Sequence, residues 1–348
     1  MDFVLTEEQK YIQQTAKDFA EREIAPTSVE RDIKSEFPHT IVKLLGELGF
    51  MGMMVSPEWS GAGLDTISYT LAIEEISKVD ASVGVIMSVN NSLVCFGIEK
   101  WGTEAQKEKY LRPLASGEKL GAFCLSEPEA GSDATNQRTS AELDGEFYVL
   151  NGMKNWITNG TQADFYVLFA STNKLLGHKG ISAFIVEKNF NGVEIGKKED
   201  KLGIRSSDTC SIGLNNVRVP KENLLGTEGI GFRIAMETLD GGRIGIASQA
   251  LGIAQASLES SVKYSMERKA FDAPISQLQA IQFKLADMTT KIEAARLLVW
   301  KAAQIKDEHG RYSRAAAEAK LFASKIAVEC ALDAIQIHGG YGYVREYL

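Results

Sequence analysis

The chain has 348 residues, 38 Lys and Arg against 46 Asp and Glu, and a net charge of -8. That length exceeds one small core and suits two or three domains, and the acidic balance without a long basic run argues against a nucleic-acid partner. Cys95, Cys124, Cys210 and Cys330 form no C-x-x-C pair, and His39, His178, His309 and His338 lack metal-ligand spacing. The expectation is therefore no disulfide framework, no metal site and a reducing compartment.

Met1-Asp2-Phe3 leads straight into a helix signal with no leader pattern. No stretch reads as the roughly 20 apolar residues of a membrane span, so the predicted location is cytoplasmic, or the mitochondrial matrix for a mature organellar protein. Thr6 and Gln9 form a capping box, and Tyr11, Ile12, Thr15, Ala16, Phe19 and Ala20 recur at helical spacing until Pro26. Further helical pattern covers 40–48, 68–78 and 104–115, with a Gly-rich loop over 59–64. These define an N-terminal helical domain, 1–118.

Over 119–228 the pattern turns to alternating and β-branched runs at 147–150, 164–170, 181–187, 192–196 and 211–219. With turns at Asp144-Gly145, Asn151-Gly152, Asn159-Gly160 and Asn191-Gly192, they predict a middle antiparallel β-domain. Over 229–348 helical runs at 232–268, 277–306 and 314–337 predict an up-and-down bundle. The fold class is α+β, with segments in the order α, β, α.

Five segments carry chemistry. At 123–133, FCLSEPEAGSD, an apolar run breaks into a turn where Ser126, Glu127, Ser132 and Asp133 crowd around Pro128 and Gly131; a polar turn and a ligand loop both remain open. Trp156-Ile157-Thr158-Asn159 follows a strand, and its indole suits either a core or a ligand face. At 239–245, LDGGRIG puts three glycines inside a helix at about 1 kcal/mol each, for close helix packing or for a ligand held by Asp240 and Arg243. Arg268, Phe271, Pro274 and Gln279 read as the turn between the first two bundle helices. Residues 336–342, QIHGGYG, end the third helical run as a Gly-rich stop, and no Rossmann G-x-G-x-x-G occurs.

Together these segments resemble the acyl-CoA dehydrogenase family along the whole chain, closest to its short-chain, butyryl-CoA members over 240–255 and 279–286. The resemblance implies FAD as cofactor. Phe123, Cys124, Leu125, Ser126 and Ser132 correspond to the loop that holds the isoalloxazine and, through Ser132, touches the acyl-CoA thioester; Asn136 departs from the small residue typical there. Trp156, Ile157 and Thr158 correspond to the segment packed on the flavin, with the Thr158 hydroxyl near its hydride-accepting nitrogen. Asp240, Gly241, Gly242 and Arg243 are implied to contact the substrate. Arg268 is implied at the FAD pyrophosphate and Gln279 at the adenosine, contacts that cross a subunit boundary, and Gln336, Ile337, His338, Gly339 and Gly340 are implied to bind FAD of the neighbouring subunit. A homotetramer built as a dimer of dimers follows from the resemblance.

The implied reaction is dehydrogenation of a short-chain acyl-CoA to the trans-2-enoyl-CoA, with electron-transferring flavoprotein as acceptor and pocket depth set near 88–96. It needs a Glu that reaches the α carbon. Most members carry it in a Tyr-Glu-Gly-Thr stretch after the second signature, and this chain stops at Leu348 before that stretch. A minority carry it where this chain has Gly242. The expectation is a C-terminally truncated dehydrogenase with little activity as it stands. The alternatives are a non-catalytic flavin or acyl-CoA binding protein, and an acyl-CoA oxidase.

Overall fold

The computed structural model describes residues 4–344; the predicted start at Met1-Asp2-Phe3 and the end at Leu348 lie outside them. In sequence order the segments are helical, β and helical, as predicted. By contacts they build two compact units: Met1–Glu30 with Asp65–Val85 and Arg243–Leu348, and Arg31–Leu64 with Ile86–Gly242.

The first unit is helical. Glu7–Phe19 begins at the predicted capping box, with the Gln9 N–H donating to Thr6 Oγ1 at 3.2 Å and the Thr6 N–H to Gln9 Oε1 at 3.0 Å. Pro26 does not end the helical path. It occupies the first turn of a 3-10 segment, Ala25–Thr27, where a missing N–H is harmless, and helix resumes at Ser28–Lys34. The long helices Gly231–Glu267, Gln279–Asp307 and Ser313–His338 follow the predicted runs within two residues. Their packing is largely alanine, through Ala247, Ala254, Ala295, Ala302, Ala316, Ala319 and Ala323, around Leu251, Ile292 and Val299. Small side chains bring helix axes close: at Gly252 a Cβ would lie 2.5 Å from the Glu74 carbonyl oxygen. Polar ties supplement this packing. Arg296 Nη2 reaches Glu74 at 2.7 Å, both largely buried, and the Thr66 N–H donates to the Asp307 carboxylate at 3.0 Å.

The second unit holds an eight-stranded sheet. Its strands are β1 (Gly121–Cys124), β2 (Ser140–Asp144), β3 (Phe147–Thr158), β4 (Phe165–Ser171), β5 (Ile181–Glu187), β6 (Val193–Ile195), β7 (Thr209–Pro220) and β8 (Leu224–Leu225). The order is β6-β7-β3-β2-β4-β5-β8, with β1 also on β4. The sheet is not wholly antiparallel. β1 runs parallel to β4, Gly121 opposite Phe165, because the segment between them carries the chain back to the same end of the sheet. Asp144-Gly145 is a turn as predicted, joining β2 to β3 with Gly145 at φ 60°. Asn151-Gly152 is not: it lies within β3 beside an irregularity in the β3–β7 pairing. Gly152 sits at φ 146°, and a Cβ there would fall 2.6 Å from Thr139 Oγ1.

Residues 81–101 were not predicted as a helix, yet Ala81–Trp101 is continuous and, by length and composition alone, apolar enough to cross a membrane. Of that window 78% is buried inside the protein, which marks a core helix. All four cysteines are free and buried.

Candidate active site

In the sheet unit two predicted segments meet. β1 ends at Cys124, and the loop beyond it bends through a tight bridge in which Glu127 and Ala130 exchange backbone hydrogen bonds at 3.1 Å. Near the end of β3 an extra residue is inserted: Lys154 opposes Ile212 and Ile157 opposes Cys210, three steps on β3 against two on β7. The resulting bulge holds Asn155 and Trp156, and Trp156 takes φ 61°, a conformation unfavourable for an aromatic residue. The Asn155 N–H donates to the Ser126 carbonyl oxygen at 2.9 Å, which ties the bulge to the loop.

This geometry sorts the predicted residues. Trp156 is 61% exposed, so its indole stands off the sheet instead of filling the core. Ser132 is exposed, and Phe123, Ser126 and Thr158 are partly exposed. The side chains of Cys124 and Ile157 lie in the core of the β-domain, and Leu125 is buried, so these three offer backbone rather than side chains to a ligand. Burial pushes the Cys124 thiol well above its usual range. The hydroxyls of Ser126, Ser132 and Thr158 have no hydrogen-bond partner among the described residues. An exposed indole, with the unspent Thr158 hydroxyl two residues on and that of Ser126 on the loop tied to the bulge, has the chemistry to hold a planar heteroaromatic ring with acceptors at its edge, so the residues fit a flavin.

A group that the sequence reading passed over lies beneath this face. Lys154 is fully buried and its ammonium donates to Glu127 Oε1 at 2.7 Å, Leu125 O at 3.2 Å and Gln137 Oε1 at 3.3 Å. The Glu127 carboxylate also accepts the Arg138 N–H at 2.6 Å and the Thr139 N–H at 3.2 Å. Burial pushes the Glu127 carboxyl up, but the Lys154 ammonium and these donors outweigh it and hold the group below its ordinary value. No motif marks the pair, which is 27 residues apart in sequence.

In the 239–245 segment, Gly241 and Gly242 are buried and Asp240 is partly exposed. A Cβ at Gly242 would lie 2.7 Å from Leu93 Cδ2, so close packing against the 81–101 helix accounts for that glycine. Arg243, in the helical unit, is partly exposed.

The helical unit gathers a second predicted group. Arg268 and His338 line a cleft of about 420 Å³ with Ser260, Lys263, Tyr264, Glu267 and Tyr341. His338 stacks on Tyr264, and its Nδ1 lies 2.8 Å from the Ala334 carbonyl oxygen. A carbonyl only accepts, so Nδ1 carries a proton; in the neutral ring Nε2 then accepts from Ser260 Oγ at 3.3 Å. The Arg268 guanidinium lies 5.7 Å from the Tyr341 ring centre. Gln279 is not part of the turn: it begins the Gln279–Asp307 helix and is exposed. Arg268, Phe271 and Pro274 do occupy that turn, a small hairpin with Phe271 at φ 53°. Ile337 packs in the bundle core, Gln336 and Gly340 are exposed, and Gly339 at φ 59° stops the helix as predicted.

Three family models cover nearly the whole chain: acyl-CoA dehydrogenase N-terminal domain over 6–118, middle domain over 122–217 and C-terminal domain over 229–348. The chain is 53% identical over 342 residues to the short-chain specific acyl-CoA dehydrogenase, mitochondrial, of Bos taurus, covering 98% of this chain and 83% of the bovine one. It is similar to the structure of butyryl-CoA dehydrogenase from Megasphaera elsdenii, with TM-score 0.99, 49% identity and coverage of 100% and 92%. A chain in the structure described as "Electron transferring flavoprotein of Acidaminococcus fermentans: Towards a mechanism of flavin-based electron bifurcation" gives TM-score 0.99, 54% identity and coverage of 100% and 91%.

Proposed function

Because the chain belongs to the acyl-CoA dehydrogenase family, we propose that the face made by Ser126, Ser132, Trp156 and Thr158 holds FAD against a short-chain acyl-CoA thioester. The reaction is α,β-dehydrogenation to the trans-2-enoyl-CoA, with electrons passed on to an electron-transferring flavoprotein. The observation that carries this reading is the indole of Trp156, presented at positive φ on a bulge that is tied to the Ser126 loop.

Bound there, FAD supplies the acceptor for the hydride that leaves the β carbon. The protein's own part is positional. Trp156 covers an aromatic face and keeps water from it, the Ser126 and Thr158 hydroxyls donate to acceptors at the ring edge, and Ser132 serves the thioester side. In the helical unit, Arg268 offers a guanidinium fork suited to the pyrophosphate of a neighbouring subunit's FAD, with His338 beside it, and Gln279, Gln336, Gly339 and Gly340 complete the contacts to that neighbouring cofactor. Asp240 and Arg243 anchor the CoA portion, and the assembly is a homotetramer. Relatives of mitochondrial and of bacterial origin support a place in the mitochondrial matrix or the bacterial cytoplasm.

Removal of the α proton needs a carboxylate in direct reach of that carbon. Gly242 has no side chain, and Leu93 fills the space beside it. Adding butyryl-CoA anaerobically to the flavin-loaded protein tests the reading: loss of the flavin's visible absorption is the expected result. Flavin that stays bound but unbleached favours the non-catalytic binder, and rapid reoxidation by oxygen favours the oxidase.

A further inference from the structure

The buried pair Lys154–Glu127 sits where the two segments of the proposed flavin face join. Lys154 is the last paired residue of β3 before the bulge that turns Trp156 outward. Its three ammonium protons meet three acceptors, of which Leu125 O and Glu127 Oε1 belong to the loop leaving β1 and Gln137 Oε1 to the segment returning toward β2. Glu127 in turn holds that returning segment through the N–H groups of Arg138 and Thr139. The Asn155–Ser126 backbone hydrogen bond runs alongside. One side chain pair thus joins β3, the outgoing loop and the returning loop.

A buried ion pair is poor evidence for net stability, since desolvation offsets much of its attraction; its recognised use is to select one arrangement among several. Here the arrangement it selects is the spacing between Ser126, on the loop, and Trp156, on the bulge. Both are on surface elements with few constraints of their own, and Trp156 holds a backbone conformation that an unrestrained chain would leave. An apolar pair of equal volume would fill the space without fixing the loop's direction, because only the hydrogen-bonded carboxylate addresses both Arg138 and Thr139.

Resting on the proposed flavin role of this face, we infer that Lys154 and Glu127 are positioning residues: they touch neither cofactor nor substrate, and they set the distance between the loop hydroxyls and the Trp156 indole. Any change that removes the charge or the hydrogen bonds of one partner frees the loop relative to the bulge. The reacting groups then meet less often in register, while the affinity for acyl-CoA, which in this reading rests mainly on Asp240 and Arg243 at the CoA portion, changes little.

The test uses the flavin-loaded protein, with variants Glu127→Gln, Lys154→Met and the conservative Lys154→Arg. Glu127→Gln should lower kcat for butyryl-CoA about tenfold or more with KM within about twofold, and should alter the visible circular dichroism of the bound flavin; Lys154→Arg should recover part of both. In the flavin-free protein, amide exchange should quicken about tenfold in the peptides covering 125–139 and 154–158 and not in β4 or β5. Unchanged kcat, flavin dichroism and amide exchange in a folded Glu127→Gln variant overturn the inference, as does a loss confined to KM. If Lys154→Met does not fold, the Glu127→Gln and Lys154→Arg variants decide alone. A parent protein that binds no flavin, with loop exchange still responding to Glu127→Gln, refutes the flavin reading while leaving the coupling of loop and bulge in place.

Discussion

The imidazole of His338, at the end of the third bundle helix, lies stacked on the ring of Tyr264, on the first, with centroids 4.3 Å apart and planes inclined by 26°. Its two nitrogens reach Ala334 O and Ser260 Oγ, which fixes the ring's orientation against both helices. Arg268 and Tyr341 flank the same cleft. The histidine thereby pins together the ends of two helices that carry the residues proposed for the cofactor's phosphates.

Replacing His338 by Ala removes the stacked pair, about 0.5 to 1.5 kcal/mol, and one or two hydrogen bonds of about 1 kcal/mol each. We expect a loss of about 2 kcal/mol in chemical unfolding and weaker retention of FAD on dialysis. An unfolding free energy and a flavin content both equal to the parent's would refute this.

Trp156 separates stability from function. Its backbone strain at φ 61° costs on the order of 1 to 3 kcal/mol, and Gly relieves it. Because the side chain is mostly exposed, little packing is lost, so Trp156→Gly should melt at or slightly above the parent temperature. Turnover with butyryl-CoA should fall at least tenfold. A variant that melts well below the parent would mean that the indole is a core group after all.

The acid limb of stability should report Glu127. Its ordinary carboxylate value is 4.5, and in the folded protein Lys154 and the Arg138 and Thr139 N–H groups hold it lower. The unfolded chain therefore takes up the proton first as the pH falls. The contribution is complete above about pH 4.5 and is lost as the pH drops through the folded value. Glu127→Gln should flatten the pH dependence of unfolding free energy below pH 4.5 and leave its slope near neutrality unchanged. Parallel curves for parent and variant throughout the acid range would exclude the assignment.

Elements whose pattern is local could be read directly. The strand at 181–187 and the three bundle helices follow from β-branched alternation and from helical period, and the Thr6 capping box from two residues three apart. The helix at Ala81–Trp101 escaped because it is buried on most sides: its polar residues Ser82, Ser88, Asn90, Asn91 and Ser92 are buried along with the apolar ones, so no amphipathic period separates an inner from an outer face. Asn151-Gly152 was misread because the residues that favour a hairpin turn also suit an irregularity within a strand, and only pairing with β7 distinguishes the two.

The sequence by itself determined the α, β, α order, the family and the segments proposed to bear its chemistry, since these rest on residue types at short spacing. The tertiary structure decided which of those residues present side chains and which present only backbone. It turned Trp156 outward through an inserted residue, sent Cys124 and Ile157 inward, and placed Leu93 against Gly242. It alone joined Lys154 to Glu127. The reason is physical: a buried charge is tolerable only with its partner and its hydrogen bonds in place, and those partners come together only when separate strands and loops have closed around them.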